Sequence, residues 1–205
     1  MLNIEKLQQG LAQLNISVED ETIAYWEAYF TLLAKWNRIY NLTAIKHPDD
    51  ILVRHLLDGI SISKYITGDY IADVGTGGGI PGLPLALMYP EKKFILIDCV
   101  EKKVNFLNYV VKYFRLTNVG AIHTRVEDYH PSKKFDQITS RAFTSIKNFK
   151  DICQHLCKPE GEMLAMKGQY PTEELEEANL ENYQHYEIKV PFLAAKRNLI
   201  VFTPD

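Results

Sequence analysis

The chain has 205 residues, 46% of them hydrophobic, with 23 Lys and Arg against 26 Asp and Glu and a net charge of −3. That length suits one α/β domain with an appendage, and the slight acidity excludes a generic nucleic-acid binder, so any RNA contact has to rest on a local basic face. No apolar run approaches a membrane span, Met1-Leu2-Asn3-Ile4-Glu5 is not expected to open a signal peptide, and three cysteines, an odd number, point to a reducing cytoplasm.

Ser17-Val18-Glu19-Asp20 resembles a capping box. Ile23, Trp26, Phe30, Leu33 and Ala34 then recur at helical spacing to about Arg38, and Asn41-Leu42-Thr43 breaks that helix. Pro48 starts another helix, with Leu52, Val53, Leu56, Leu57 and Ile60 turned inward. Residues 1–66 read as a helical cap and 67–205 as the rest of one compact unit. Strands are predicted at 70–74, 93–98, 119–123, 135–140, 161–167, 184–190 and 198–203, with helices at 80–88, 101–115, 145–156 and 172–180. Gly161 after Pro159 marks a turn before the fifth strand. Such alternation demands a Rossmann-like, mostly parallel seven-stranded sheet with helices on both faces. The last two strands, joined only by a loop holding Pro191, should form an antiparallel hairpin. The acidic stretch Glu173 to Glu181 reads as a solvated helix face. Cys153 and Cys157 read as half-buried helix residues and Cys99 as a small space-filler; no metal site is expected.

Residues 73–82 read Asp-Val-Gly-Thr-Gly-Gly-Gly-Ile-Pro-Gly, a loop between a predicted strand and a predicted helix. Its glycines let backbone approach a ligand with no Cβ in the way. Asp98 ends the next strand, and an acid there can accept both hydroxyls of a ribose. Gly77, Gly79 and Gly82 also fit the dinucleotide pattern G-x-G-x-x-G. Two features argue for S-adenosylmethionine instead. Asp73 suits the ammonium of a methionine moiety and repels a pyrophosphate, and Pro81 and Pro84 remove backbone donors that phosphates would use. Asp-x-Gly-x-Gly-x-Gly at 73–79 resembles the pattern of class I methyltransferases.

Basic residues gather where the sheet's ligand edge should be. Lys102 and Lys103 stand in the first turn after Asp98, where they oppose the helix dipole. Arg125 follows the third strand, Arg141 the fourth, and Lys167 ends the fifth. Arg54 and His55 sit on the last cap helix, and Arg197 precedes the last strand. Arg54, Lys102, Lys103, Arg125, Lys167 and Arg197 are the candidate RNA contacts, Arg141 is the favoured functional residue, and His55 reads as a hydrogen-bonded interior histidine.

Trp36-Asn37-Arg38-Ile39-Tyr40-Asn41-Leu42-Thr43, Arg54-His55-Leu56-Leu57-Asp58, the glycine loop, Asp98 with Lys102-Lys103, Arg125-Val126-Glu127, Ser140-Arg141-Ala142-Phe143 and Lys167-Gly168 occur in one order over nearly the whole chain. Together they closely resemble the bacterial 16S ribosomal RNA guanine-N7 methyltransferases, the glucose-inhibited division protein B family. The resemblance implies that Gly75 and Ile80 line the S-adenosylmethionine site, that Val126 and Glu127 meet the adenine, and that Arg141 also contacts the cofactor region. Cys99 and Gly59 stand where that family usually has serine, Lys103 where arginine is frequent, and Asn198 where histidine is common.

Guanine N7 carries a lone pair and no proton, so it can attack a sulfonium methyl without a general base. Catalysis is then expected from positioning and electrostatics, with Arg141 as the catalytic candidate. A single-stranded or distorted stretch of 16S rRNA, free or in the small-subunit particle, is the expected partner, and the chain is expected to act as a monomer. Phe143 reads either as a stacking ring or as core. Two other classes stay open: a methyltransferase of small molecules, and a non-enzymatic partner protein that keeps a cofactor fold.

Overall fold

A computed structural model describes residues 2–141 and 143–204, so Ala142 of the Ser140–Phe143 segment lies outside it. No helix is predicted before Ser17, yet α1 (Ile4–Leu14) forms there, capped by the Asn3 side chain and closed by left-handed Asn15. Its Gly10 lets it pack close to the cap, where a Cβ would meet the end of the Leu57 side chain at 2.8 Å. α2 (Asp20–Tyr40) starts after Glu19, which is still extended and makes no side-chain cap bond. The predicted capping box therefore does not form, since Ser17 lies outside the helix. Asn41 ends α2 in the left-handed region, where the prediction breaks it.

The run from Pro48 is one helical rod of three pieces: α3 (Pro48–Ile51), a wide π turn (Leu52–Leu57) and α4 (Asp58–Ile60). π turns are rare and concentrate at functional sites. This one carries Arg54 and His55 and is capped by Asp58.

The sheet comprises β1 (Tyr70–Val74), β2 (Lys93–Asp98), β3 (Val119–His123), β4 (Phe135–Arg141), β5 (Cys157–Lys167), β6 (Tyr183–Ile188) and β7 (Arg197–Phe202), in the order β3-β2-β1-β4-β5-β7-β6. β7 alone runs against its neighbours and makes the expected hairpin with β6. α5 (Gly82–Met88), α6 (Glu101–Phe114), α7 (Ile146–Cys153) and α8 (Thr172–Ala178) connect the strands. Side chains alternate across the sheet as the pleat requires. Ile71 joins the cluster shared with the cap, α5 and α6, while Ala72 joins the one with α7 and α8.

Two expectations need correction. β5 begins at Cys157 and passes through Pro159 and Gly161, because its register on β4 jumps from Phe135–Cys157 to Gln137–Glu162. The extra residues bulge outward, which accommodates a proline without a donor. Cys153 closes α7 and Cys157 opens β5, so the two do not share a helix, and both are buried.

Candidate functional site

The carboxyl ends of β1, β2, β4 and β5 share one edge, because these strands are parallel. The cap closes over that edge and leaves a cavity of about 440 Å³, walled by Gly75 to Gly78, Ile80, Arg141 and Lys167 from the sheet side and by Thr43, Arg54, His55 and Asp58 from the cap.

The glycine loop is held from below by Asp73. Its Oδ2 accepts from Thr76 Oγ1 at 2.6 Å and from the Gly82 amide at 2.8 Å, at the start of α5. Its Oδ1 is buried with no partner. Burial pushes the Asp73 carboxyl up to about 6, against the pull of those two hydrogen bonds. Gly75 and Gly77 have φ of +65° and +61°, values that L side chains rarely adopt. They differ in what lies above them. A Cβ on Gly75 would strike the Phe143 ring at 2.5 Å, whereas one on Gly77 would meet nothing within 4 Å. The glycine that opens onto the cleft is thus Gly77, while Gly75 is the seat of Phe143, which packs against the α7–α8 cluster.

Asp98 ties the loop to β2. Its Oδ2 accepts from the Gly77 amide at 2.9 Å and from Lys103 Nζ at 3.4 Å, and its Oδ1 accepts from the Val100 amide at 2.9 Å. Three of its roughly four lone-pair positions are engaged. The Thr124 amide donates to the Asp98 backbone carbonyl, which brings the turn Val126–Asp128 beside this acid. Val126 is buried there and Glu127 exposed.

Arg141 is no free strand-end arginine. Its Nη1 donates to the Arg54 carbonyl at 2.7 Å and to Asp58 Oδ2 at 3.1 Å, and its Nη2 donates to His55 Nδ1 at 3.3 Å. Asp58 Oδ1 accepts from Arg197 Nε at 2.8 Å. The buried acid therefore joins two arginines from two strands to the cap. Burial, reinforced by the Arg141 guanidinium, pulls the His55 imidazole down to about 3. His55 is neutral at pH 7: Nδ1 accepts from Arg141, which leaves the proton on Nε2 to face Thr43 Oγ1 at 3.0 Å. The expectation of a bonded interior histidine holds.

The other cations divide into two groups. Lys102 and Arg125 are exposed and without an ion pair among the described residues, and Arg54 is exposed and pairs only with Asp50 one turn earlier. Lys103 and Arg197 are half-buried against acids. Lys167 is an internal tie, its Nζ donating to Glu174 Oε2 at 2.6 Å and to the Thr144 carbonyl at 2.7 Å. Asn198 is buried between the Gly168 carbonyl and His185. Cys99 is exposed and fills no space. Two site residues escape sequence reasoning, Thr43 and Asp58. For Asp58 a signal exists: an acid one residue after Leu57 and two before Ile60, on an inward helix face, needs a buried cation.

The fold is that of class I S-adenosylmethionine-dependent methyltransferases. An S-adenosylmethionine-dependent methyltransferase from Aquifex aeolicus superposes with a TM-score of 0.57 at 22% identity, covering 76% of this chain and 93% of that one. The ribosomal protein L11 methylase of Lactobacillus delbrueckii subsp. bulgaricus gives 0.55 at 15% identity, covering 73% and 77%. In sequence, the chain is 48% identical to the ribosomal RNA small subunit methyltransferase G of Francisella tularensis subsp. novicida, over 96% of this chain and 95% of the relative. It is 46% identical to the protein of the same description from Francisella philomiragia subsp. philomiragia, over 96% of each. Residues 22–200 match the family described as GidB, rRNA small subunit methyltransferase G, so the chain belongs to that family.

Proposed function

We infer that the chain, as a member of this family, transfers a methyl group from S-adenosylmethionine to N7 of a guanine in 16S rRNA of the small ribosomal subunit. The observation that carries the reading is the Asp98–Gly77 bond at the mouth of an open glycine cradle, in a chain that matches the family over residues 22–200. The site fits the cofactor: Asp73 Oδ1 is a buried acceptor without a donor, and Gly77 leaves open space where any side chain would stand.

When bound, S-adenosylmethionine supplies the electrophilic methyl. Asp73 would hold its ammonium through the unpartnered Oδ1, and the Gly75 backbone, Gly77 and Ile80 would line its path. Asp98 would take a ribose hydroxyl on its remaining lone pair, beside the Lys103 bond. Val126 and Glu127 would flank the adenine. Arg141 is the catalytic candidate: fixed by three partners, it has N–H groups left to orient the target base at the cofactor. No group has to remove a proton, which agrees with a neutral His55 whose two nitrogens are both engaged.

Arg54, Lys102 and Arg125 are the cations placed to meet phosphate. Lys103, Lys167 and Arg197 are committed to Asp98, Glu174 and Asp58 and act on RNA through the shape of the cleft. The partner is 16S rRNA or a small-subunit particle, and the chain acts on it as a monomer in the cytoplasm. Incubation of small-subunit RNA with the protein and labelled cofactor, followed by nuclease digestion and mass mapping, should yield 7-methylguanosine at one position. Methyl on another atom, or none, overturns the reading.

A further inference from the structure

Between α2 and α6 runs a row of aromatic rings that the cleft does not use. Tyr40 packs on Trp36 at 5.2 Å between ring centroids, Trp36 on Tyr109 at 5.3 Å, and Tyr109 on Tyr113 at 5.9 Å. Residues one turn apart on each helix, 36 with 40 and 109 with 113, make the row possible. Burial would be the ordinary fate of such rings, yet Tyr40, Tyr109 and Tyr113 are 42%, 41% and 59% exposed.

The row meets the cofactor cleft at its Tyr40 end. After Tyr40 the chain turns at Asn41 and enters the cavity wall at Leu42 and Thr43. On α6, Lys102 lies seven residues before Tyr109, on the same helix face, and is followed by Lys103, which is bonded to Asp98.

Charge on these faces runs opposite to that of the whole chain. Residues 31–40 hold Lys35 and Arg38 and no acid, and α6 holds Lys102, Lys103 and Lys112 against Glu101 alone. Lys35, Arg38, Lys102 and Lys112 are exposed and carry no ion pair among the described residues.

We propose that this row is a stacking platform for single-stranded rRNA bases next to the target guanine, with the flanking lysines and Arg38 on the phosphates. The proposal rests on the RNA reading of the cleft and extends it to a second surface. Aromatic faces accept any base, and interleaved cations track the backbone, which is how proteins hold unpaired strands without reading their sequence.

The test compares wild type with the double variants Y109L/Y113L and Y109F/Y113F. Leucine keeps helix propensity and apolar bulk but has no ring, whereas phenylalanine keeps the ring. The leucine pair should raise KM for small-subunit RNA roughly 5- to 100-fold, with kcat and the affinity for S-adenosylhomocysteine little changed. The phenylalanine pair should behave as wild type. A single-stranded oligoribonucleotide should quench Trp36 fluorescence, identified as the part lost in Trp36→Phe.

The proposal is overturned by a leucine pair with wild-type KM, by a phenylalanine pair as impaired as the leucine pair, or by absent Trp36 quenching. It is also overturned if light scattering shows an association between copies that the leucine pair abolishes. If wild type methylates no RNA, the reading of the cleft fails, and Trp36 quenching still decides the platform.

Discussion

Asp58 and Arg141 form an ion pair at 3.1 Å in which the acid is 4% and the arginine 21% exposed. The acid belongs to the cap and the arginine to β4, so the bond couples the lid of the cleft to its floor. Removing one partner of such a buried pair leaves the other charge without compensation. Asp58→Asn, which strands both Arg141 and Arg197, should cost about 3–5 kcal/mol of stability and most of the turnover. A urea denaturation midpoint equal to wild type would show that the pair does not couple cap and sheet.

Arg141→Ala should lower turnover by more than its stability loss explains. It also strips His55 Nδ1 and the Arg54 carbonyl of their donor, so a cost of about 1–3 kcal/mol is expected. Arg141→Lys, which cannot reproduce the fork to three acceptors, should regain stability and little activity. Single-turnover rates beside denaturation midpoints check this, and full activity in the lysine variant would remove the geometric role.

Asp98→Ala should weaken binding of S-adenosylhomocysteine by about 1.5–3 kcal/mol or more, because the Gly77 amide loses its acceptor along with the ribose. Calorimetry at fixed salt is the measurement. Unchanged affinity would place the ribose elsewhere.

The left-handed glycines Gly75 and Gly77 should fail in different ways. Gly77→Ala leaves packing untouched and puts a methyl into the cleft, so affinity falls while stability drops only by the roughly 1–2 kcal/mol of a left-handed alanine. Gly75→Ala drives a methyl into Phe143 and should be the less stable of the two. Phe143→Leu should partly rescue Gly75→Ala and do nothing for Gly77→Ala. Equal rescue of both would contradict the geometry.

His55 and Asp73 make opposite contributions to acid stability. The folded imidazole sits near 3, below its ordinary 6.5, so the unfolded chain binds its proton first and stability rises with pH between about 3 and 6.5. The Asp73 carboxyl sits near 6, above its ordinary 3.8, so the folded chain holds its proton longer and stability falls between about 3.8 and 6. Each slope reaches at most about 1.4 kcal/mol per pH unit, and they largely cancel in the wild type. Asp73→Asn should gain stability as pH rises from 4 to 6, and His55→Gln should lose it. Parallel pH profiles for all three proteins would refute the assignment. A bound ammonium should also favour ionised Asp73, so cofactor affinity should weaken as pH falls below about 6.

The strands, the loop and the strand-end acid were legible because each is encoded locally, by apolar runs, glycines and one charge closing a run. The partners of Arg141 were not legible. Asp58 and Arg197 are 139 residues apart in sequence, and only the closed fold puts Arg141 and Arg197 on one carboxylate. Lys167 looked like a ligand-edge cation for the same reason, since its partner Glu174 lies in a stretch that reads as solvated. α1 was missed because its buried stripe is only Leu7, Gly10 and Leu11, with a glycine where an apolar residue signals a helix.

The wide turn at Leu52–Leu57 makes one residue of the cap helix dispensable to its direction but not to its chemistry. A π turn accommodates one residue more than an α turn, so deleting a single residue between 52 and 57 would let the rod relax to regular geometry with Asp58 and α4 still in register on Arg141 and Arg197. In a regular α-helix the same deletion would swing everything after it by about 100°. What the relaxation changes is the turn itself, which presents the Arg54 carbonyl and His55 to Arg141. A one-residue deletion there should therefore spare the fold and the lid and loosen the seat of Arg141, whereas an insertion or deletion in α3 or α4 should rotate Asp58 away from both arginines.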